Sequence, residues 1–503
     1  MPYLEVPVLF LISLILRLYF INNIKNSDEW ASFFFISMQN RKWINYEQDK
    51  SIPSGYNASP KFYFYIIKKI FKKNNYKKGT ILNILFDCFL VLTFYVYISF
   101  YFELSFQYLS FFSDQFLFSV LLLSVPIYLP TNARLIGVKA RTFGNYLNMI
   151  YFLVLINMGH NLILELIILF ILFEIILLSS IFAAQNVIFI SIIYSILTKN
   201  FLILIPFAIS LMSAFIYDYG KIKLLKHKLN HFIWYFKFIN NTQLRYKNSI
   251  NSFIDIIKRE NKVKIINHLF RHSSFFILII NFGLVYCYFI KIDFYRYDFS
   301  EFNQFYINNE KIIYIVLSTL MIFLITSFGK FKIFGQAERY FEYAAPFIYI
   351  LFFSIWFQNN DSYLVILILI SNLCIIFINK FLNKQKTFPD GKKVILFIKK
   401  LIKSNKVNLL CIPVKYSFNL AARIESKNIK YYMNFITPAK NGFKYMIEDL
   451  DYYNLPKSNL FRMKKKYNIN YVLIENKKKL KKKYIKYIKK IVYKDNSFII
   501  INI

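Results

Sequence analysis

Apolar residues in this chain come in blocks of membrane-crossing length, separated by short polar turns and two longer stretches of mixed character. The first block runs from about Val6 to Ile21, and others lie at about 81–103, 115–130, 143–158, 162–179, 185–198 and 201–217. A basic segment, Lys221 to Arg271, interrupts them, and four more follow at about 273–290, 312–328, 343–357 and 362–379. Crossing the hydrocarbon of a bilayer takes ~20 apolar residues in a helix. The pattern therefore predicts about eleven transmembrane helices. Between the first two blocks, Asn22 to Gly79 is polar and aromatic, with Pro53, Gly55 and Pro60. It ends in an amphipathic run, Phe62 to Lys73, which reads as a helix lying in the interface with its lysines reaching lipid phosphates.

From about Lys384 the periodicity changes. Val407 to Val414, Asn470 to Ile474 and Ser497 to Ile503 are short β-like runs, with Lys-rich helical stretches between them. The fold class expected is an all-α polytopic membrane domain over residues 1–383, followed by a small soluble α/β domain over 384–503. Within the first lie the 22–80 loop with its interfacial helices and the basic amphipathic segment 219–272, most simply a pair of interfacial helices on anionic headgroups.

Composition agrees with this reading. Of 503 residues, 57% are hydrophobic and 20% aromatic, which excludes both a soluble protein and a disordered one. The formal charge is +37, but Lys, Asn, Ile, Tyr and Phe are all abundant, as AT-rich codons would make them. The positions of the lysines therefore carry more than their number. Cys88, Cys287, Cys374 and Cys411 show neither disulfide nor zinc spacing. The N-terminus has no basic leader or small-residue cleavage site, so Val6–Ile21 is expected to be a retained helix.

The loops divide by charge. With eleven spans, Lys61–Lys78, Arg134–Arg141, Lys221–Arg271, Lys330–Arg339 and the tail all fall on the side of Asp28. The opposite loops, near Glu103–Asp114, His160, Asp293–Glu310 and Asp361, are largely neutral or acidic. The positive-inside rule makes the basic face cytoplasmic. A face that handles a lipid-phosphate or polyanionic substrate needs the same charge on either side.

Four sets of residues on that face carry candidate chemistry. Leu16-Arg17-Leu18 closes the first block and is followed by the adjacent carboxylates Asp28-Glu29, which by themselves read as a solvated loop start. Next comes Gly55-Tyr56-Asn57-Ala58-Ser59-Pro60-Lys61-Phe62-Tyr63-Phe64-Tyr65. Asn132-Ala133-Arg134-Leu135 precedes Arg141-Thr142-Phe143-Gly144, and Glu338-Arg339-Tyr340-Phe341-Glu342-Tyr343 precedes Pro346. In this order the sets resemble the membrane-embedded C-type glycosyltransferases, in particular bacterial relatives of protein O-mannosyltransferases and aminoarabinose transferases. Lys61 departs from that pattern, where a second Pro is usual. The likeness covers about residues 4–200 and 330–350, and the rest only in outline.

The resemblance implies an enzyme of the cell (inner) membrane, multi-pass, that moves a sugar from a polyprenyl-phosphate carrier to a glycan, lipid or protein acceptor on the extracytoplasmic side. Its partners would be that donor, membrane lipids and the acceptor, with no nucleic acid. An inverting transfer needs a carboxylate to take the acceptor's hydroxyl proton. The departing lipid phosphate needs Arg or Lys to meet its charge. Asp28 is the candidate base, and Glu29 its orienter or a contact to the donor sugar. Arg134, Arg141 and Arg339 are the candidate phosphate clamp, with Lys139 and Tyr340 beside them, while Tyr63 and Tyr65 are placed to carry polyprenyl chain or sugar. No metal ligands are assigned and a divalent ion is left open: His227/His231 and His268/His272 have i, i+4 spacing, but their neighbours are basic and no carboxylate completes a set.

Each assignment has a plainer reading. Arg134–Arg141 are also ordinary membrane-end anchors, and the tyrosines an interfacial belt. Arg339 with Glu338 and Glu342 is also a local ion pair at helical spacing. Three rival functions remain. A flippase or transporter of lipid-linked glycans should carry charges within its spans, where Asp87, Glu165 and Glu174 are the main ones here. An O-antigen-type polymerase or ligase would have its key loop late in the chain. A structural subunit would bind a partner or nucleic acid through Lys478–Lys490.

Overall fold

The computed structural model describes residues 2–22, 45–47, 51–52, 56–58, 62–70, 79–101, 113–125, 140–159, 161–216, 299–327, 337–359, 362–382, 391–414, 416–424, 426–432, 460–476 and 490–503, with single positions at 222, 225, 229, 281, 331 and 334. The bundle comprises α1 (Pro2–Asn22), α2 (Phe62–Ile70), α3 (Gly79–Tyr101), α4 (Asp114–Ser124), α5 (Arg141–Ile156) and α6 (Leu162–Ser179). It continues with α7 (Ile181–Leu197), α8 (Ile205–Ile216), α9 (Phe299–Ser327), α10 (Glu338–Asn359) and α11 (Ser362–Leu382). A helix thus stands at every predicted span except 273–290, of which only residue 281 is described.

Among the described residues, three helices are long and apolar enough to cross a membrane, at 81–100, 162–179 and 306–327. The others that qualify on apolarity are shorter, and α4 shows why. The apolar run continues past Ser124, but Val125 precedes Pro126 and takes an extended conformation (φ −60°, ψ 122°) that ends the helix. Eleven residues then reach only ~17 Å.

Polar side chains fix the first helices to one another. Glu5, 4% exposed, accepts hydrogen bonds from Tyr95 Oη (2.7 Å) on α3 and from the backbone N (2.6 Å) and Oγ (2.6 Å) of Ser113. Ser113 is itself the N-cap of α4, its Oγ accepting from Phe116 N at 3.2 Å. Further along, Arg17 Nε donates to Asp87 Oδ2 in an ion pair that is buried on both sides, and Ser13 Oγ donates to Cys88 Sγ at 3.2 Å. Glu165 accepts from the backbone N of Gly159 (3.0 Å) and Asn161 (3.3 Å), closing the turn into α6. Two of the three interior carboxylates that a transport path would use are therefore structural contacts.

The tail forms a six-stranded sheet with β2 (Ser51–Ile52) at one edge, in the order β2-β5-β4-β6-β8-β7, where β4 (Val407–Ile412), β5 (Ile429–Tyr432), β6 (Tyr471–Glu475), β7 (Lys490–Lys494) and β8 (Phe498–Asn502) come from the C-terminal part. Strands β5, β4 and β6 run parallel, β8 antiparallel to β6, and β7 antiparallel to β8. Alternation splits the side chains: Leu409 and Cys411 pack with Ile398 and Ile402 of α12 (Lys392–Ser404) and Leu420 of α13 (Tyr416–Arg423). Leu410 and Ile412 pack on the other face with Leu460 and Met463 of α14 (Leu460–Tyr467). Burial pushes the Cys411 thiol up to about 12, which keeps it an inert core group.

The sixth strand comes from the other end of the chain. In the loop after α1, β1 (Asn45–Glu47) and β3 (Tyr56–Ala58) form an antiparallel pair. Between them β2 (Ser51–Ile52) leaves the hairpin and adds in parallel to the edge of β5, with Ser51 opposite Tyr431 and Ile52 opposite Tyr432. Ser51-Ile52, which precede α2 in the chain, thus form an edge of the tail sheet.

Candidate functional site

The predicted site residues fall into three groups. Asp28, Glu29, Arg134 and Lys139, with the histidine pairs, lie outside the described residues. Tyr63 and Tyr65 separate, because two positions apart on a helix point nearly opposite ways. Tyr63 is fully buried, its hydroxyl donating to Asn83 Oδ1 and its ring stacked on Phe143 at 5.4 Å, whereas Tyr65 is 48% exposed. Arg141, Arg339 and Tyr340 are brought together.

Arg141 opens α5 and Arg339 stands one residue into α10. These two helices pack against each other, so their first turns lie side by side. Arg141 Nε donates to Glu342 Oε2 (2.9 Å) and Oε1 (3.2 Å), and its Nη2 also reaches Oε2, a forked guanidinium–carboxylate pair. Glu342 is 2% exposed while the Arg141 side chain keeps 27%. One turn along the same face of α5, Asn145 Nδ2 donates to Glu342 Oε1 at 2.5 Å.

Arg339 lies over the ring of Phe182 at the start of α7, 4.9 Å from its centroid. Burial first, and then the charge of Arg141, lower its pKa to about 10, so it stays charged at neutral pH. Tyr340 is buried and holds this end in place: its hydroxyl donates to the carbonyl of Phe334 (2.9 Å) and accepts from Gln185 Nε2 (2.9 Å), which also donates to that carbonyl. Phe182 packs on Tyr340 (5.5 Å) and Tyr343 (6.1 Å). Tyr340 is thus anchored beside Arg339 by Phe334, Gln185 and Phe182.

Arg141, through its forked pair with Glu342, thus stands beside the first turn of α10, which carries Arg339 three residues before Glu342. Sequence reasoning missed Glu342 as the partner of Arg141, together with Asn145, Gln185 and Phe182. Asn145 carried a signal, since it follows Arg141 by four residues. Glu342 was readable only as a local partner of Arg339.

Polarity continues inward from this cluster. Gly144 turns α5 toward α7, where an added Cβ would lie 2.8 Å from Ala183 Cβ. Arg141 and Asn145 turn it toward α10. Asn148 follows Gly144 by four residues and Asn145 by three, so it lies in the seam of all three helices. Asn186 stands likewise, four after Phe182 and three after Ala183. Both are fully buried, and among the described residues neither carboxamide has a hydrogen-bond partner at N or O.

Among the described residues no three His, Cys, Asp or Glu side chains converge, so they offer no ligand set for a divalent ion.

No family model and no curated protein matches the chain. Among solved structures it is similar to the oligosaccharyltransferase of the archaeon Archaeoglobus fulgidus. The form with Zn and sulfate is 13% identical, with a TM-score of 0.45, over 94% of this chain and 68% of that one. The form tethered to an acceptor peptide is 12% identical (TM-score 0.48), also over 94% and 68%. The form with an inhibitory peptide and a dolichol-phosphate is 12% identical (TM-score 0.43), over 94% and 69%. So loose a superposition says nothing of this chain's chemistry, which has to be read from its own residues.

Proposed function

We propose that this chain is an integral, multi-pass glycosyltransferase of the cell membrane that moves a sugar from a polyprenyl-phosphate carrier to a lipid, glycan or protein acceptor. The observation that carries the reading is the meeting of Arg141 and Arg339, 198 positions apart, at one end of the bundle. A lipid phosphate leaving group accumulates charge as the sugar departs, and preorganised guanidiniums stabilise that charge most where water is excluded. Arg339 supplies the charge, Phe182 and Tyr340 hold it, and Glu342 with Asn145 sets the plane of Arg141. Arg134 and Lys139 shortly precede Arg141 in the sequence and extend the clamp. Asp28 is the general base on the acceptor hydroxyl and Glu29 its orienter, in the loop that β2 ties to the tail sheet. Tyr65, exposed on α2, is left as the contact for polyprenyl chain or sugar.

The test is transfer from a polyprenyl-phosphate sugar in proteoliposomes, paired with recovery of a surface glycan in a deletion strain. Asp28→Asn keeps shape but cannot accept the proton, so the rate should fall about 10²–10⁴-fold with normal insertion. Asp49→Asn, in the same loop, should retain transfer. Full complementation by Asp28→Asn returns the acidic pair to a solvated loop start.

A further inference from the structure

A second cluster of charged side chains lies at the far end of the bundle. Helices α5 and α7 run parallel, with Gly144 beside Ala183 near their starts. Where they end, a cavity of about 450 Å³ opens against α9, lined by Met158, Tyr194, Lys199, Glu310, Lys311 and Tyr314, with others. Fourteen residues of helix separate Arg141 from Leu155 on its rim, which places the two sites ~21 Å apart along α5. The cavity is of the size that holds small ligands.

Its charges are sorted. The carboxylate of Glu310 accepts from Tyr314 Oη at 2.7 Å, and that hydroxyl is 3.1 Å from Tyr306 Oη. Tyr194 lines the same cavity. Lys311 Nζ donates to the carbonyl of Met158 at the end of α5, at 3.2 Å. Lys199 follows α7 in a left-handed conformation (φ 55°), and its side chain is exposed. Among the described residues neither lysine forms an ion pair with Glu310. A carboxylate set among tyrosines is the chemistry that takes an ammonium group. Two lysines beside it are the chemistry that takes a phosphate. Glu310 lies one turn inside the N-terminal end of the candidate span 306–327, near the level of lipid headgroups.

We infer that this cavity binds the phosphoethanolamine headgroup of a membrane lipid, amine on Glu310 and phosphate between Lys199 and Lys311. The site stands apart from the two arginines, so it holds or fails independently of the transfer reading.

Native mass spectrometry of the full chain, loaded in turn with phosphatidylethanolamine, phosphatidylcholine and phosphatidylglycerol, tests it. The wild type should retain the ethanolamine lipid about tenfold over the other two, as one charge-assisted contact is worth. Glu310→Gln should abolish that preference, and Lys199→Gln should weaken retention several-fold. Lys199 is exposed, so its variant carries the test if Glu310→Gln does not elute as a folded species. Equal retention of phosphatidylglycerol, or an unchanged preference in Glu310→Gln and Lys199→Gln, overturns the site. Binding of free phosphoethanolamine with no lipid retained overturns the lipid as its source.

Discussion

Arg17 and Asp87 are both buried, and neither charge is tolerable there without the other. Breaking such a pair from one side typically costs about 3–5 kcal/mol, whereas replacing both members with apolar groups is often neutral. Arg17→Met should therefore lower the thermal midpoint of the detergent-purified protein sharply, and Arg17→Met with Asp87→Leu should recover most of the loss. Equal midpoints for the single and double variants would show that the pair is not coupled. From the sequence, Arg17 stood out at a helix end and Asp87 as a charge within a span, but nothing in either position points across 70 residues to the other. Glu342 repeats the lesson. Helical spacing offered Arg339 as its partner, while packing gave it Arg141, 201 residues away. Spacing tells which face a side chain takes, not which helix lies against that face.

At the scale of elements, the α5–α7 contact rests on Gly144. A Cβ there meets Ala183 Cβ at 2.8 Å and Ser180 Cβ at 3.1 Å, so Gly144→Ala must push the helices apart. Overpacking of this kind costs about 1–3 kcal/mol, and the same thermal measurement should show it, with Gly159→Ala excluded as a control because its φ of 144° strains any other residue. The seam below behaves differently. Since Asn148 and Asn186 have no hydrogen-bond partners among the described residues, Asn148→Leu with Asn186→Leu should leave stability unchanged or raise it. Asn145→Leu, which strips a hydrogen bond from buried Glu342, should destabilise by about 1.5–3 kcal/mol. A double variant that loses as much as Asn145→Leu would mean that the seam carboxamides are satisfied after all. The helices themselves were legible as apolar runs; their ends were less so. The stop at Val125 needs only Pro126, which was readable, whereas the burial of Tyr63 beside an exposed Tyr65 needs to know what α2 lies against.

Across the whole molecule, the tail sheet and the first loop are joined by β2 and β5, which the sequence did not announce. Strands β4, β6 and β8 were readable as β-like runs, but Ser51-Ile52 is too short to carry an alternation signal, and Lys490 to Lys494 reads as the end of a basic helix. The odd number of apolar runs puts Asp28 and the tail on one face; the contact in the sheet is between Ser51-Ile52 and β5, and Asp28 lies outside the described residues. Ile52→Cys with Tyr432→Cys joins directly paired positions, within reach of a disulfide. Mild oxidation should link them in intact membranes, detectable as a faster-migrating band that reductant removes. Absence of the link, with both cysteines labelled from opposite sides, would separate the loop from the tail.

The account depends most on the arginines at the starts of α5 and α10 being a lipid-phosphate clamp. The direct measurement is equilibrium binding of a polyprenyl phosphate, without sugar, to the purified full chain and to Arg339→Gln. Glutamine keeps a donor at the position but removes the charge, while Glu342 retains its forked pair with Arg141. The wild type should bind, and Arg339→Gln should bind at least about tenfold more weakly with an unchanged thermal midpoint. Equal affinity in the two proteins would contradict the clamp, and the glycosyltransferase reading with it.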